Sequence, residues 1–114
     1  MEIGEVARLT EADVLIGEES LDREVHFACG CDLMSDVLAF VEDGTLLLTG
    51  LTNHQVIRTA EMIDVFAIVF VRGKVPTQEI IDMAKERNII LMSTDYTLFE
   101  ACGILYQAGL KGKV

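Results

Sequence analysis

The chain has 114 residues, of which 51% are hydrophobic, and 19 acidic against 9 basic residues give it a formal net charge of −10. This length predicts one domain over residues 1–114, long enough to bury a hydrophobic core. Such an acidic surface repels phosphate backbones and anionic lipid headgroups, so we expect neither a nucleic-acid partner nor a membrane partner. The high apolar fraction leaves surface for a partner, and a homodimer is the simplest way to cover it.

The amino terminus and the cysteines both favour a cytoplasmic location. The first ten residues contain Glu2 and Glu5 and lack the basic start of a signal peptide. No segment reaches the roughly 20 apolar residues that a transmembrane helix needs. Cys29, Cys31 and Cys102 are predicted to be reduced thiols, which is the usual state of cysteines in that compartment.

The N-terminal third of the sequence predicts two helices and two short strands. Ile3, Val6 and Ala7 indicate a short helix, and a short strand is predicted over Val14–Ile16. Val25 and Phe27 alternate with polar residues, as in a half-buried strand. The apolar spacing over Leu33–Val41 predicts a helix with Asp32 as its N-cap and Gly44 after its end.

The remainder predicts strands that alternate with helices. Short apolar runs typical of strands buried on both faces occupy Thr45–Thr49, Val65–Val71 and Asn88–Met92. Helical spacing follows each run, with predicted N-caps at Asn53, Thr77 and Asp95. Strands joined by helices run parallel, with right-handed crossovers. We therefore expect an α/β fold, a three-layer domain with a mainly parallel central sheet, flanking helices and a βαβαβα second part.

Motifs of common catalytic sites are missing from the sequence. It contains no G-x-x-x-x-G-K-[ST], no G-x-G-x-x-G and no G-x-S-x-G, which argues against a P-loop NTPase, a Rossmann dinucleotide site and a nucleophile elbow. Cys29-Gly-Cys31 supplies only half of the ligands of a metal site, and no second cysteine pair follows. The sequence indicates neither a nucleophile nor an orienting carboxylate that would make His26 or His54 catalytic. We therefore expect no enzymatic activity, no catalytic residue, no bound metal and no cofactor.

Three loops are predicted to meet at the carboxyl edge of the sheet, where ligands of parallel α/β proteins bind. They are Thr49–His54, Val71–Lys74 and Ser93–Tyr96. Helix N-termini offer free N–H groups there, and Arg72 and Lys74 add the positive charge that an anion needs. The candidate ligand-binding residues are Thr49, Gly50, Thr52, Asn53, His54, Arg72, Lys74, Thr94 and Tyr96. The alternative is that these loops only cap helices.

Between Ala28 and Gln107, short sequence motifs of predicted strands and helices follow one another in a characteristic order. C-G-C-D leads into a helix, and D-G-T-L-L-L-T-G gives a strand that ends in a glycine. A second strand, F-A-I-V-F-V, precedes a helix with the pattern P-x-x-x-[IV]-[IL]-x-x-A, and a third strand precedes D-Y-T-L-F-E. In this order and spacing the chain resembles the DRTGG domain family. The D-R-T-G-G motif itself, expected near residues 51–55, is replaced by L-T-N-H-Q.

The resemblance implies a regulatory function. DRTGG domains occur with CBS domains in family II inorganic pyrophosphatases, in longer phosphotransacetylases and as stand-alone proteins. They are non-catalytic, tend to dimerise, and in some contexts take part in adenine-nucleotide control. A homodimeric ligand-sensing domain for a nucleotide or another small anion is therefore implied, and we expect dimer contacts near His26, Phe27 and Tyr106. The alternative is a module that docks on a metabolic or redox enzyme and binds no small molecule.

Overall fold

A five-stranded sheet with helices on both faces forms the computed structural model of the protein, which describes residues 1–113. The strands are β1 (Asp13–Ile16), β2 (Phe27–Gly30), β3 (Thr45–Thr49), β4 (Ala67–Phe70) and β5 (Ile90–Ser93). The helices are α1 (Ile3–Thr10), α2 (Met34–Phe40), α3 (His54–Met62), α4 (Gln78–Glu86) and α5 (Leu98–Gln107), and a short 3-10 helix spans Glu18–Ser20. The predicted α/β fold class is confirmed.

The strand order is β1-β5-β4-β3-β2, in which β2 to β5 run parallel and β1 runs antiparallel to β5. Side chains of successive strand residues point to opposite faces of the sheet. In β3, Leu46 and Leu48 therefore pack with α1 and α5, whereas Leu47 packs with α2, α3 and α4. Since both faces are covered, all three leucines are fully buried, which explains why this strand is a continuous apolar run.

The predicted N-cap of α3 is confirmed. The Asn53 side chain accepts a hydrogen bond from the Val56 N–H at 3.3 Å and so caps α3. Asn88 follows α4 with a left-handed φ of 57°, a conformation that asparagine tolerates well. Thr77 occupies the N-cap position of α4, but its side chain makes no capping hydrogen bond.

The prediction that Asp95 caps α5 is wrong. The cap is Thr97, whose side chain accepts from the Glu100 N–H at 3.2 Å. The N–H groups of Gly73 and Arg72 donate to the carbonyls of Thr94 and Tyr96, both at 2.8 Å. These bonds hold the chain after β5 against the preceding loop, so α5 starts only at Leu98.

The predicted strand at Val25 and Phe27 is correct only in part. Val25 and Met1 exchange two hydrogen bonds of 2.9 Å, one from each backbone nitrogen, so Val25 pairs with the N-terminal segment. The sheet strand β2 starts at Phe27 and continues through Gly30, opposite residues 45–48 of β3. This later position of β2 changes which residues reach the carboxyl edge.

Gly30→Ala is expected to destabilise the protein by about 1–3 kcal/mol, the usual cost of overpacking. A Cβ at this position would lie 2.6 Å from the Cys102 Sγ and 3.2 Å from the Leu98 Cδ1, both on α5. Urea unfolding of Gly30→Ala, Cys102→Ala and the double variant forms the test. The double variant should be more stable than the sum of the single effects predicts, and strict additivity would show that α5 does not press on Gly30.

Candidate functional site

The carboxyl ends of β2 to β5 lie side by side, and the loops that follow them are joined by hydrogen bonds. The Lys74 Nζ donates to the Gly50 carbonyl oxygen at 3.0 Å, which ties the loop after β4 to the loop after β3. The Ser93 hydroxyl donates to the Lys74 carbonyl oxygen at 2.8 Å and ties in the end of β5. Because β1 is antiparallel, residues 10–12 also reach this edge. The structure therefore places the three predicted loops together.

Asp32 also lies at this edge, although it is not among the predicted ligand-binding residues. Its Oδ1 accepts hydrogen bonds from the Thr49 hydroxyl and from the Gly50 N–H, both at 2.8 Å. The prediction that Asp32 caps α2 is wrong, because Leu33 is the N-cap residue and no side chain caps this helix. The hydrogen bond from Gly50, with the bond from Thr49 and the charge of Lys74, holds the pKa of Asp32 below its usual value of 3.8.

A polar surface of both charges surrounds Gly50. A Cβ placed at Gly50 would lie 3.5 Å from the Asp32 Oδ2 and 3.8 Å from the Lys74 Nζ. Asp32 uses only Oδ1 in its two bonds, and Lys74 uses one of its three donors on the Gly50 carbonyl. The surface thus presents a carboxylate oxygen and ammonium donors next to each other, and together they could hold a ligand that both donates and accepts.

The start of α3 supplies three further predicted residues. Thr52 is half-buried, and its side chain makes no hydrogen bond within residues 1–113. Asn53 is committed to the cap described above. The His54 Nε2 lies 3.1 Å from the Glu79 Oε1 and connects the beginnings of α3 and α4. Thr52 is therefore the side chain of this segment that is free to meet a ligand.

The remaining predicted ligand-binding residues, Arg72, Thr94 and Tyr96, differ in exposure and in hydrogen-bond partners. Arg72 is exposed, with a left-handed φ of 58°. Thr94 is buried, and its hydroxyl donates to the Thr10 carbonyl oxygen at 2.6 Å. The Tyr96 hydroxyl donates to the Glu11 Oε2 at 2.6 Å, and this bond raises the pKa of the phenol.

Thr94 and Tyr96 line a separate cavity of about 330 Å³ together with two carboxylates, those of Glu11 and Asp95. Negative charge in this cavity disfavours an anion. The anion-compatible part of the edge is the surface around Gly50, Thr52, Arg72 and Lys74, where the charges of Lys74 and Arg72 offset the carboxylate of Asp32. Thr49 and Thr94 are buried and hold the loops rather than face a ligand.

The cysteine side chains make no hydrogen bond to the residues of this surface within residues 1–113. Partial burial is the main cause that raises the pKa of Cys29 and of Cys102, and the neighbouring thiols of Cys31 and Cys102 add to the effect at Cys29. Cys31 is bonded locally, since its Sγ accepts from the Leu33 N–H at 3.3 Å. Within residues 1–113, no three His, Cys, Asp or Glu side chains form a group that could hold a metal ion.

The fold and this edge define a small three-layer α/β domain with a polar surface at the carboxyl ends of its parallel strands. The family model of the DRTGG domain matches residues 5–108, and the chain belongs to this family. A comparison with curated proteins finds no match. In the part of the chain that the structure describes, no helix combines the length and apolar character needed to cross a membrane.

The fold is similar to that of a solved structure. It is described as the CBS and DRTGG domains of the regulatory region of Clostridium perfringens pyrophosphatase complexed with its activator, diadenosine tetraphosphate. The TM-score is 0.73 at 18% sequence identity, and the match covers 94% of this chain and 46% of that one. The present chain therefore spans about half the length of that regulatory region.

Asp32→Ala is expected to destabilise the protein by about 1–2 kcal/mol at neutral pH. This value is at the low end for hydrogen bonds to a charged acceptor, because Asp32 is exposed and water screens its charge. The variant leaves the buried Thr49 hydroxyl and the Gly50 N–H without this acceptor. Because the folded-state pKa is depressed, the stabilisation is present above about pH 4 and is lost as the pH falls through the folded pKa.

Urea unfolding of wild type and Asp32→Ala from pH 7 to pH 3 measures this dependence. Asp32→Asn is the matched control, since it keeps an acceptor but cannot titrate. The difference in unfolding free energy between wild type and Asp32→Ala should narrow below about pH 4. A difference that is absent at pH 7, or that grows on acidification, would contradict the assigned bonds.

Proposed function

We propose that residues 1–114 act as a single non-catalytic regulatory domain in the cytoplasm, which binds an adenine nucleotide or another small anion and works as a homodimer. The observation that carries the ligand proposal is the pair of charged side chains at the buried Gly50, whose N–H donates to Asp32 and whose carbonyl oxygen accepts from Lys74. This pair leaves the Oδ2 of Asp32 and two donors of Lys74 unused. The family membership supports a regulatory function, and the activator named for the pyrophosphatase region supports a nucleotide as ligand.

A nucleotide fits the mixed charge of this surface. Its phosphate groups would meet Lys74, Arg72 and the free N–H groups at the start of α3. Its ribose hydroxyls would donate to the unused Oδ2 of Asp32. In a chain with a net charge of −10, an anionic ligand requires such a local group of cations.

The proposal of a non-catalytic domain is supported by the state of the candidate side chains. The depressed pKa keeps Asp32 ionised at neutral pH, so it acts as a fixed acceptor and not as a general acid. His54 pairs with Glu79, and within residues 1–113 no serine, threonine or cysteine is hydrogen-bonded to a histidine. A nucleophile activated by a neighbouring base is thus not part of this edge.

The homodimer is proposed to form through the outer face of α5. Phe99 is 83% exposed and Tyr106 is 56% exposed, and they are seven positions apart, which is about two helical turns, so both lie on one face. An apolar groove of about 820 Å³ runs along this face past Gly103. Since α5 packs over β2, the exposed His26 and the half-buried Phe27 lie on the adjoining sheet edge.

Thr52→Val is expected to weaken nucleotide binding about tenfold or more, because a lost hydrogen bond to a charged phosphate costs about 1.5–3 kcal/mol. The fold should persist, since the Thr52 side chain makes no hydrogen bond in the described residues. Calorimetric titration of both proteins with ATP measures the effect.

Thr52→Ser serves as the control that keeps the hydroxyl. Equal affinities of wild type and Thr52→Val would remove Thr52 from the site. If no nucleotide binds to the wild type or raises its melting temperature, the alternative of a module that docks on a metabolic or redox enzyme is favoured.

A further inference from the structure

A cavity at the opposite edge of the sheet has no part in the nucleotide proposal. It opens where β1 ends and β5 begins, and its volume of about 520 Å³ lies within the range of small-molecule sites. Ile16, Ile89 and Ile90 form its apolar floor. We call it the amino-edge cavity. A neighbouring cleft of about 270 Å³ shares Arg23 with it.

Two cations without an acidic partner line the amino-edge cavity. Neither Arg23 nor Lys85 forms an ion pair within residues 1–113, whereas the nearby Arg87 is engaged with Glu61 at 3.0 Å. The Arg23 guanidinium carbon lies 3.7 Å from the centroid of the Phe66 ring, and this stacking holds the cation in place. Two unpaired cations in one cavity of an acidic protein favour a ligand that carries a negative group.

The same cavity also carries groups that a polyphosphate would avoid. The carboxylates of Glu18 and Glu19 line it and would repel a highly charged anion, but they attract an ammonium group. The side chains of Ser20 and Asn88 also line it, and neither makes a hydrogen bond in the described part of the chain. Charges of both signs around an apolar floor are the features that recognise a zwitterion with an apolar side chain.

The wall of the cavity is fixed by a main-chain position that needs glycine. Gly17 has a left-handed φ of 99°, and a Cβ there would lie 2.7 Å from the Ile90 Cγ1. The segment before the 3-10 helix therefore packs directly on β5 and places residues 18–20 at the mouth of the cavity. Such a wall is formed before a ligand arrives, which lowers the cost of binding.

We infer that the amino-edge cavity binds a small zwitterion of the amino-acid class with an apolar side chain. Arg23 and Lys85 receive its carboxylate, and Glu18 and Glu19 receive its ammonium group. The isoleucine floor receives the side chain. This site is independent of the nucleotide site at the carboxyl edge, so either can exist without the other.

Chemical-shift titration of the isotope-labelled protein with millimolar L-leucine tests the inference. Saturable shifts are expected at residues 16–20 and 85–90. Leucinamide, which lacks the carboxylate, and 4-methylpentanoate, which lacks the ammonium group, should each bind at least about tenfold more weakly than leucine. Lys85→Gln should weaken leucine binding about tenfold, and Thr52→Val should leave it unchanged.

Arg58→Gln is the control for Lys85→Gln, because Arg58 is exposed on α3 and does not line the cavity. The inference would be overturned by the absence of saturable shifts with leucine, or by shifts that map to the carboxyl edge. Equal binding of leucine and either analogue would also overturn it, as would Lys85→Gln with the affinity of the wild type.

Discussion

Phe99→Glu is expected to raise the dissociation constant of the homodimer by about 100-fold or more, so that the variant is monomeric at micromolar concentration. Phe99 is the most exposed large apolar side chain of the described residues, at 83%, and it lies at the start of α5, at one end of the proposed contact. The substitution removes an aromatic anchor from each copy and places two carboxylates in an apolar interface. An exposed aromatic anchor of this kind contributes about 2–4 kcal/mol, and about 2.7 kcal/mol corresponds to 100-fold.

Sedimentation of the wild type, Phe99→Glu and Phe40→Glu separates this interface from a general effect of added charge. Phe40 is 79% exposed at the end of α2, on the other face of the sheet, and the same substitution there should leave the dimer intact. A wild type that sediments only at 12.6 kDa would contradict the proposed homodimer. If only Phe40→Glu dissociates the dimer, the interface lies on the α2 face of the sheet and not on α5.

Lys74→Glu is expected to weaken ATP binding by about 100-fold or more. The variant replaces the ammonium donors beside Gly50 with a second carboxylate next to Asp32. Loss of hydrogen bonds to charged phosphate oxygens costs about 1.5–3 kcal/mol each, and repulsion between like charges adds to that loss. Calorimetric titration at a fixed salt concentration measures the change, since the effect is screened by salt.

Arg58→Glu is the matched control, because it changes the net charge equally and lies on the exposed side of α3. It should alter affinity only slightly. Lys74→Gln, which keeps a donor for the Gly50 carbonyl, tests whether a loss of binding comes from the charge or from a displaced loop. If Arg58→Glu and Lys74→Glu weaken binding alike, the overall field of the protein, and not a site at Lys74, governs affinity.

The central strands could be predicted from the sequence because their burial leaves a direct pattern. Thr45–Thr49 is buried at every position, and so is each residue of β4 and β5. Such runs have few other interpretations when glycines and capping residues bound them. The antiparallel direction of β1 left no comparable signal, since a four-residue strand looks the same in either direction.

Asp32 shows why part of the site could not be predicted. As an acidic residue before a helical pattern, it has the sequence signal of an N-cap. The position of Asp32 follows from the register between β2 and β3, in which Gly30 pairs with Leu48. Two residues further along both chains, Asp32 therefore lies beside Gly50 and accepts a hydrogen bond from its N–H. A strand assigned at Val25 and Phe27 ends too early to reveal this pairing.

Asp95 was misassigned for a related reason. Its sequence position suits a cap, but the hydrogen bonds from Arg72 and Gly73 keep residues 94–96 out of the helix. Those partners lie in another loop, more than 20 residues away along the chain, and local propensity cannot indicate such a contact. The three loops were nevertheless predicted to meet, because the carboxyl ends of parallel strands share one edge.

Chemical-shift mapping of the isotope-labelled wild type with ATP tests the proposed regulatory site most directly. The proposal predicts saturable shifts at residues 49–54 and 72–74, with Asp32 among the responding amides, and an affinity that falls in Thr52→Val and Lys74→Glu. Residues 16–20 and 85–90 should remain unchanged. The absence of saturable shifts with ATP, or shifts confined to the amino-edge cavity, would contradict the proposal that this domain senses a nucleotide at its carboxyl edge.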